Sequence, residues 1–120
     1  MKAKYVRGKI QPRFRILHGR DIALGPGKAE LLEQVGETGS IAKAAERMGM
    51  SYMRAWTLIK TMERCFKEPL IKVSRGGAKH GGAELTVNGK QVLTLYRGME
   101  RESLAITVRM RRQLMSRLRV

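Results

Sequence analysis

Gly49 sits inside residues 38–63, TGSIAKAAERMGMSYMRAWTLIKTME, and divides them into two helical segments joined by a tight turn. Before it, Ile41, Ala44, Ala45 and Met48 recur at i, i+3, i+4 and i+7, the apolar stripe of a helix. Ser40 is placed to cap that helix by accepting from an amide that would otherwise lack a partner. Gly49 supplies the left-handed residue that turns the chain sharply, a conformation that costs other residues strain. Ser51 then caps a third helix, whose inner face is Ala55, Leu58, Ile59, Met62 and Phe66. The small Ala44 and Ala45 let the two helices approach closely. Two short helices at a fixed crossing, the second cationic and aromatic-bearing, make a helix-turn-helix.

The flanks extend this into one domain. Residues 1–12 are basic and lack periodicity, and read as a basic N-terminal arm. Phe14 and Ile16 alternate with Arg13 and Arg15, and a turn-like Leu17–Asp21 leads to Ile22-Ala23-Leu24, so a short hairpin is expected. Gly25-Pro26-Gly27 breaks the chain, with Pro26 suited to the first turn of a helix. That helix carries Leu31, Leu32 and Val35 on one face, and Gly36 is expected to end it. Pro69 stops the third helix. Leu70–Val73 and Glu84–Val87 are β-like, and the glycine-rich SRGGAKHGGA lies between them, the pattern of a β-hairpin wing. Asn88 is expected to cap a last helix over about residues 88–120, with Val92, Tyr96, Met99, Ile106 and Met110 on one stripe. The fold expected for residues 13–120 is mainly α with a small β wing: a winged helix-turn-helix with a long C-terminal dimerisation helix.

Charge says which partner such a domain meets. The chain carries 25 Lys and Arg against 10 Asp and Glu, a formal net charge of +15. Residues 51–82 hold seven cations and two acids, whereas residues 21–50 hold three cations and five acids. Both ends are basic. One cationic side and one acidic side fit a polyanion bound on one face, with salt-dependent attraction.

A recognition helix packs one face on its neighbour and sends the other into the major groove, which is wide enough for one helix. Ser51, Tyr52, Arg54, Thr57, Lys60, Thr61 and Arg64 are read as that outer face. Arg54 has the fork that pairs with guanine. Ser51, Tyr52 and Thr57 have the reach for phosphates or base edges, and Lys60 and Arg64 for backbone. Tyr52 has packing on the neighbouring helix as its other reading, and Trp56 is expected to pack against the wing or the first strand. Ser40 serves as a helix cap, and its hydroxyl as a phosphate contact. On the wing, Lys72, Ser74, Arg75, Lys79 and His80 would lie along a phosphate strand or in the minor groove.

Catalysis is not expected. One cysteine and two distant histidines offer no zinc cluster of familiar spacing, and no glycine motif stands in a nucleotide-binding context. No cofactor is expected. Cys65 has no intrachain disulfide partner, fits a reducing compartment and is expected in the core. No apolar run is long enough to cross a bilayer, and the basic start has no apolar stretch after it, so a cytoplasmic protein without a membrane partner is expected.

Taken together, ALGPGKAELLEQVGETGSIAKAAERMGMSYMRAWTLIKTMERCFKEPLI and SRGGAKHGGAELTVNGKQVLTLYRGME resemble the N-terminal DNA-binding domain of the molybdate-responsive ModE family of bacterial regulators. GMSYMRAW carries most of the specificity, because an SYxRAW start to the recognition helix marks that family. LysR-type regulators share the looser frame of GSIAKAAERMGMS, the EPL turn and ELTVNGKQVL. The resemblance covers residues 13–100. It implies a winged helix-turn-helix, a symmetric homodimer and a palindromic site on double-stranded DNA. It carries DNA contact onto Ser51, Tyr52 and Arg54, and phosphate contact onto the wing. Full-length members continue into small β-barrel oxyanion domains, while this sequence stops at Val120, so molybdate binding by this chain is not expected.

The function expected is therefore a sequence-specific transcription regulator without an oxyanion-sensing domain. The alternative is an architectural, largely non-specific DNA-binding protein, which the basic ends favour. A third class, a protein-interaction or membrane-surface module, would use the Arg-rich tail.

Overall fold

The structure, a computed structural model, describes residues 8–74 and 82–119. The wing-tip residues Arg75, Lys79 and His80, and residues 1–7 of the arm, lie outside the described residues. The chain runs β1 (Ile16–His18), β2 (Asp21–Leu24), α1 (Pro26–Thr38), α2 (Ile41–Arg47), α3 (Tyr52–Cys65), β3 (Ile71–Ser74), β4 (Gly82–Leu85), α4 (Val87–Ile106) and α5 (Val108–Met115). It is mainly α with a small antiparallel wing, as expected.

The first hairpin pairs Ile16 with Leu24, Leu17 with Ile22 and His18 with Asp21, with an irregularity between Ile16 and Leu17. Gly19, at φ +62°, makes the turn tighter than the expected Leu17–Asp21. Pro26 opens α1 as its sequence position requires. The helix does not stop at Gly36. It continues to Thr38 and closes on Gly39, at φ +72°, whose N–H bonds to Val35 O at 2.8 Å. Gly36 serves packing instead: a Cβ there would stand 3.2 Å from Leu85 Cδ1 on β4.

The two helices around Gly49 form as their caps dictate. Ser40 Oγ accepts from Lys43 N, and Ser51 Oγ accepts from Arg54 N, each at 3.1 Å. Gly49 has φ +70°, and Met50 N–H turns back to Ala45 O at 3.0 Å. Leu24, Leu31, Leu32 and Val35 of β2 and α1, Ala44 and Ala45 of α2, and Ala55, Ile59 and Met62 of α3 form one core with Leu70, Ile71, Ala83 and Tyr96. Each large side chain fully buried there contributes about 1.5–3 kcal/mol. Cys65 is not among them. It is half-buried at the edge, with Sγ 3.9 Å from Asp21 Oδ2.

The wing is fixed at its base. Lys72 pairs with Glu84 and Ser74 with Gly82 across the hairpin, and Ala83 N–H donates to Gly39 O at 2.9 Å. Glu63, on α3, accepts from Leu70 N and Ile71 N at 3.1 Å, so α3 holds the first wing strand directly. The second strand ends at Leu85, and Thr86 rather than Asn88 caps α4, accepting from Gly89 N at 2.9 Å. Asn88 instead donates to Glu68 O at 3.1 Å. Gly89 is required there, since a Cβ would fall 2.1 Å from Leu70 O.

The expected single helix over 88–120 is divided at Thr107. The Thr107 hydroxyl donates to Ser103 O at 2.5 Å, and the Arg111 guanidinium donates to Leu104 O. Side chains that capture helix carbonyls in this way compete with the helical ladder. Arg97 ties α4 to α1 through Glu33 at 2.5 Å and Glu30 at 3.4 Å, and also pairs with Glu100 at 3.0 Å. Beyond that tie the chain leaves the body. The radius of gyration, 17.1 Å, exceeds the ~14 Å of a compact domain of this length.

Candidate nucleic-acid interface

An α-helix turns about 100° per residue, so the packed face of α3 fixes what is left over. Ala55, Ile59 and Met62 are buried, which points Met53, Thr57, Lys60 and Arg64 away from the body. All four are exposed, as are Ser51, Tyr52 and Arg54. Arg54 and Trp56 stand on opposite flanks of this ridge. Trp56 is half-buried and shares a groove of about 240 Å3 with Ile59, Lys60, Glu63, Ile71 and Val73, so it packs toward the wing. Arg54 leans the other way, over the first turn of α1 and the hairpin.

The aromatic pair is ordered by helical spacing. Tyr52 and Trp56 stack with ring centroids 6.3 Å apart and an angle of 12° between planes. Lys60 Nζ lies 4.8 Å from the Trp56 ring centre, within the range of a cation–π contact. Tyr52, Trp56 and Lys60 thus form one column along the wing side of α3. Half of the Tyr52 surface remains open, at 48 % exposure. Its ring therefore packs on its own helix rather than on α2 and still faces outward.

The other candidates divide. Thr57 is exposed, and its carbonyl accepts from the Thr61 hydroxyl at 3.0 Å. Arg64 pairs with Asp21 at 3.5 Å, turned toward the first hairpin. Both partners are well exposed, so the pair adds little stability. Lys72 and Ser74 are exposed on β3, alternating with Ile71 and Val73, which line the Trp56 groove. Ser40 stands apart, at the start of α2, where its hydroxyl is engaged by the Lys43 amide.

Two features escaped the sequence reading. Met53, 64 % exposed, lies at the centre of the outer ridge. Its exposure follows from the helical period once Ala55 and Ile59 are taken as inward. Glu63 fixes the wing through backbone amides seven and eight residues on, and no local pattern announces that. Among the described residues, no group of three or more His, Cys, Asp or Glu is arranged to hold a metal ion. Among them too, no helix is long and apolar enough to cross a membrane.

Residues 27–90 match the family of bacterial regulatory helix-turn-helix proteins of the lysR family. The chain is 39% identical over 80 residues to the molybdenum transport protein ModE of Azotobacter vinelandii, covering 67% of this chain and 30% of that protein. It is 39% identical over 71 residues to the transcriptional regulator ModE of Yersinia pestis, covering 59% and 27%. It is 33% identical over 85 residues to the molybdenum-pterin-binding protein MopB of Rhodobacter capsulatus, covering 71% and 32%. The chain thus spans about 30% of the length of these relatives. Among solved structures, full-length CbnR complexed with its target DNA superposes with a TM-score of 0.53 at 23% identity, over 72% of this chain and 28% of that one. A ZitR variant from Lactococcus lactis superposes with a TM-score of 0.54 at 20% identity, over 94% and 73%. At such identities the two structures speak for the fold alone.

Proposed function

The chain belongs to the lysR family of bacterial regulatory helix-turn-helix proteins, and we propose that it is a sequence-specific, homodimeric regulator of transcription that reads double-stranded DNA with α3. One observation carries the reading. A fully packed inner face on α3 leaves Tyr52, Arg54, Thr57 and Lys60 exposed on a ridge flanked by a wing strand. Such a helix has nothing in its own body left to hold. Its outer face has the width and donor chemistry for the major groove.

In this reading Arg54 forms a bidentate pair to a guanine, and Ser51, Tyr52 and Thr57 reach base edges or phosphates. Lys60 and Arg64 reach the backbone. Lys72 and Ser74 start a wing contact that Arg75, Lys79 and His80 would continue. Ser40 has its hydroxyl committed to a helix cap and offers the weakest contact. Met53 joins the base-facing ridge, where an apolar tip suits a thymine methyl.

The C-terminal helices supply the dimer. Leu95, Met99 and Ile106 on α4, and Met110 and Leu114 on α5, are exposed at helical spacings of four and seven within each helix. A second copy would cover that stripe and set two α3 helices about one duplex turn apart, ~34 Å. Acting on bacterial DNA, such a protein works in the cytoplasm. The molybdenum in the relatives' names belongs to proteins of which this chain matches about 30%, and the proposal covers DNA reading without a cofactor or molybdate.

Selection of bound duplexes from a random pool tests this. The full chain should enrich paired, inverted half-sites and prefer them to random DNA by roughly 10³-fold or more at physiological salt. A flat enrichment profile would instead make the protein an architectural, non-specific binder.

A further inference from the structure

Residues 13–15 approach the first hairpin as a segment whose two sides are divided by burial. Phe14 packs on the core, and its carbonyl accepts the Tyr96 hydroxyl at 2.7 Å. Arg13 and Arg15, one residue to either side, are exposed. Both line a cleft of about 310 Å3 whose other walls are the first turn of α1 and the first half of α3. Lys28 and Arg54 stand on those walls. Four cationic side chains from three parts of the chain therefore surround one concavity, and no carboxylate lines it. Among the described residues, none of the four is in an ion pair.

The cleft is held in shape by its surroundings. The Lys28 ammonium donates to Ile22 O, bracing the hairpin against α1. The Arg15 stem lies 3.5 Å from where a Cβ on Gly25 would stand, so the bare backbone lets it settle there. The tie between Tyr96 and Phe14 O fixes the segment that presents both arginines. Like charges gathered in this way repel one another, and an anion seated between them relieves the repulsion. The cleft opens beside Arg54, on the flank of α3 away from the wing.

We propose that this cleft is a second phosphate-holding surface, in which Arg13, Arg15 and Lys28 grip the sugar–phosphate backbone next to the base pairs that Arg54 reads. The inference rests on α3 being the DNA-reading helix. It adds a backbone contact from the hairpin ahead of α1, so the duplex is held on both flanks of α3. Arg54 is positioned for bases by cationic neighbours that hold the strand and repel its side chain outward.

The test is the salt dependence of duplex binding by the full chain, read by fluorescence anisotropy on its selected site. Arg13→Ala with Arg15→Ala should weaken binding at least about tenfold at physiological salt. It should also lower the slope of log K against log salt by about 2 per protomer. Arg13→Gln alone, the milder change, should lower the slope by about 1. Arg13→Lys with Arg15→Lys should keep most of it. Arg109→Ala with Arg112→Ala on α5 removes the same charge and should leave the slope nearly unchanged. Thermal melts of each variant separate lost contact from lost fold. Unchanged slopes in both the double variant and Arg13→Gln overturn the proposal, and so does an equal drop from the α5 pair. Saturable binding of inorganic phosphate that the double variant loses, with its DNA slope intact, replaces the proposal with a free-oxyanion site. If the unaltered chain binds no duplex at all, the reading of α3 falls first and this one with it.

Discussion

α3 and α5 are both cationic helices with an apolar stripe, yet the chain treats them in opposite ways. α3 buries Ala55, Ile59 and Met62 against the body, and its outward side, Met53 among polar and cationic residues, is left for a ligand. α5 buries nothing, and Met110 and Leu114 stay about 60% exposed (61% and 62%). The same amphipathic pattern is thus completed inside the chain in one place and left open in the other. A packed apolar face orients the charged one, which is what base reading needs. An unpacked apolar face calls for a partner, and the arginines around it give solubility until the partner arrives.

The sharpest way to break this contrast is one substitution made twice. Met62→Ala should lower stability by about 2–5 kcal/mol, because it leaves a cavity in a closed core. Met110→Ala should change the stability of the isolated protomer by no more than about 0.5 kcal/mol. Urea unfolding at a protein concentration below dimerisation measures both, and equal costs would erase the distinction. At higher concentration the second helix should show itself. Leu114→Asp should weaken self-association by about 1–3 kcal/mol, since it places a charge in the proposed seam, with the protomer's own melt unmoved. Sedimentation equilibrium reads that shift. An unaltered dimer would move the seam away from α5.

Binding separates the two helices at similar size. Arg54→Ala should cost about 1–3 kcal/mol on the selected site and relax preference at one base pair, with non-specific binding nearly intact. Arg112→Ala on α5 should leave that preference unchanged. A competition series between selected and random duplexes checks both variants, and matched losses would mean that charge alone, rather than position on α3, governs binding.

What could be read from the sequence was what is written locally. Ser40, Gly49 and Ser51 act within one helical turn, so their roles follow from residue type and spacing. The apolar periods around them then place Ala44, Ala45, Ala55 and Ile59 inward. Gly36 and Asn88 misled because glycine and asparagine suit a helix end equally well as a close contact or a side-chain bridge. Which one obtains depends on Leu85 and on Glu68, 49 and 20 residues away. The division at Thr107 was hidden for a related reason: a hydroxyl can bond back to its own helix without any breaker residue. Arg13 and Arg15 read as alternating residues of a hairpin, but nothing in the sequence places them beside Arg54, 41 and 39 residues on. The packed and exposed faces of α3 were therefore legible, while its flank had to be seen in the fold.

The smallest effect expected lies where body and tail part company. Tyr96 is the last fully buried side chain of α4, and its hydroxyl donates to Phe14 O at 2.7 Å. Tyr96→Phe keeps the ring and removes that bond, at a cost of about 1 kcal/mol near neutral pH. Burial raises the Tyr96 pKa above its ordinary 10.0, with Glu100 adding to it and Arg97, Arg13 and Arg15 opposing. A raised value means that the fold prefers the neutral phenol. The stability this contributes is whole below pH 10 and is lost as pH climbs through the folded value. The difference in melting temperature between the native chain and Tyr96→Phe should therefore hold steady up to about pH 10 and close above it. Comparing the two chains cancels the titration of lysines and of the other tyrosines. No gap near neutral pH would mean that Tyr96 contributes through its ring alone, and Phe14 would then need another anchor to hold the arginines beside it.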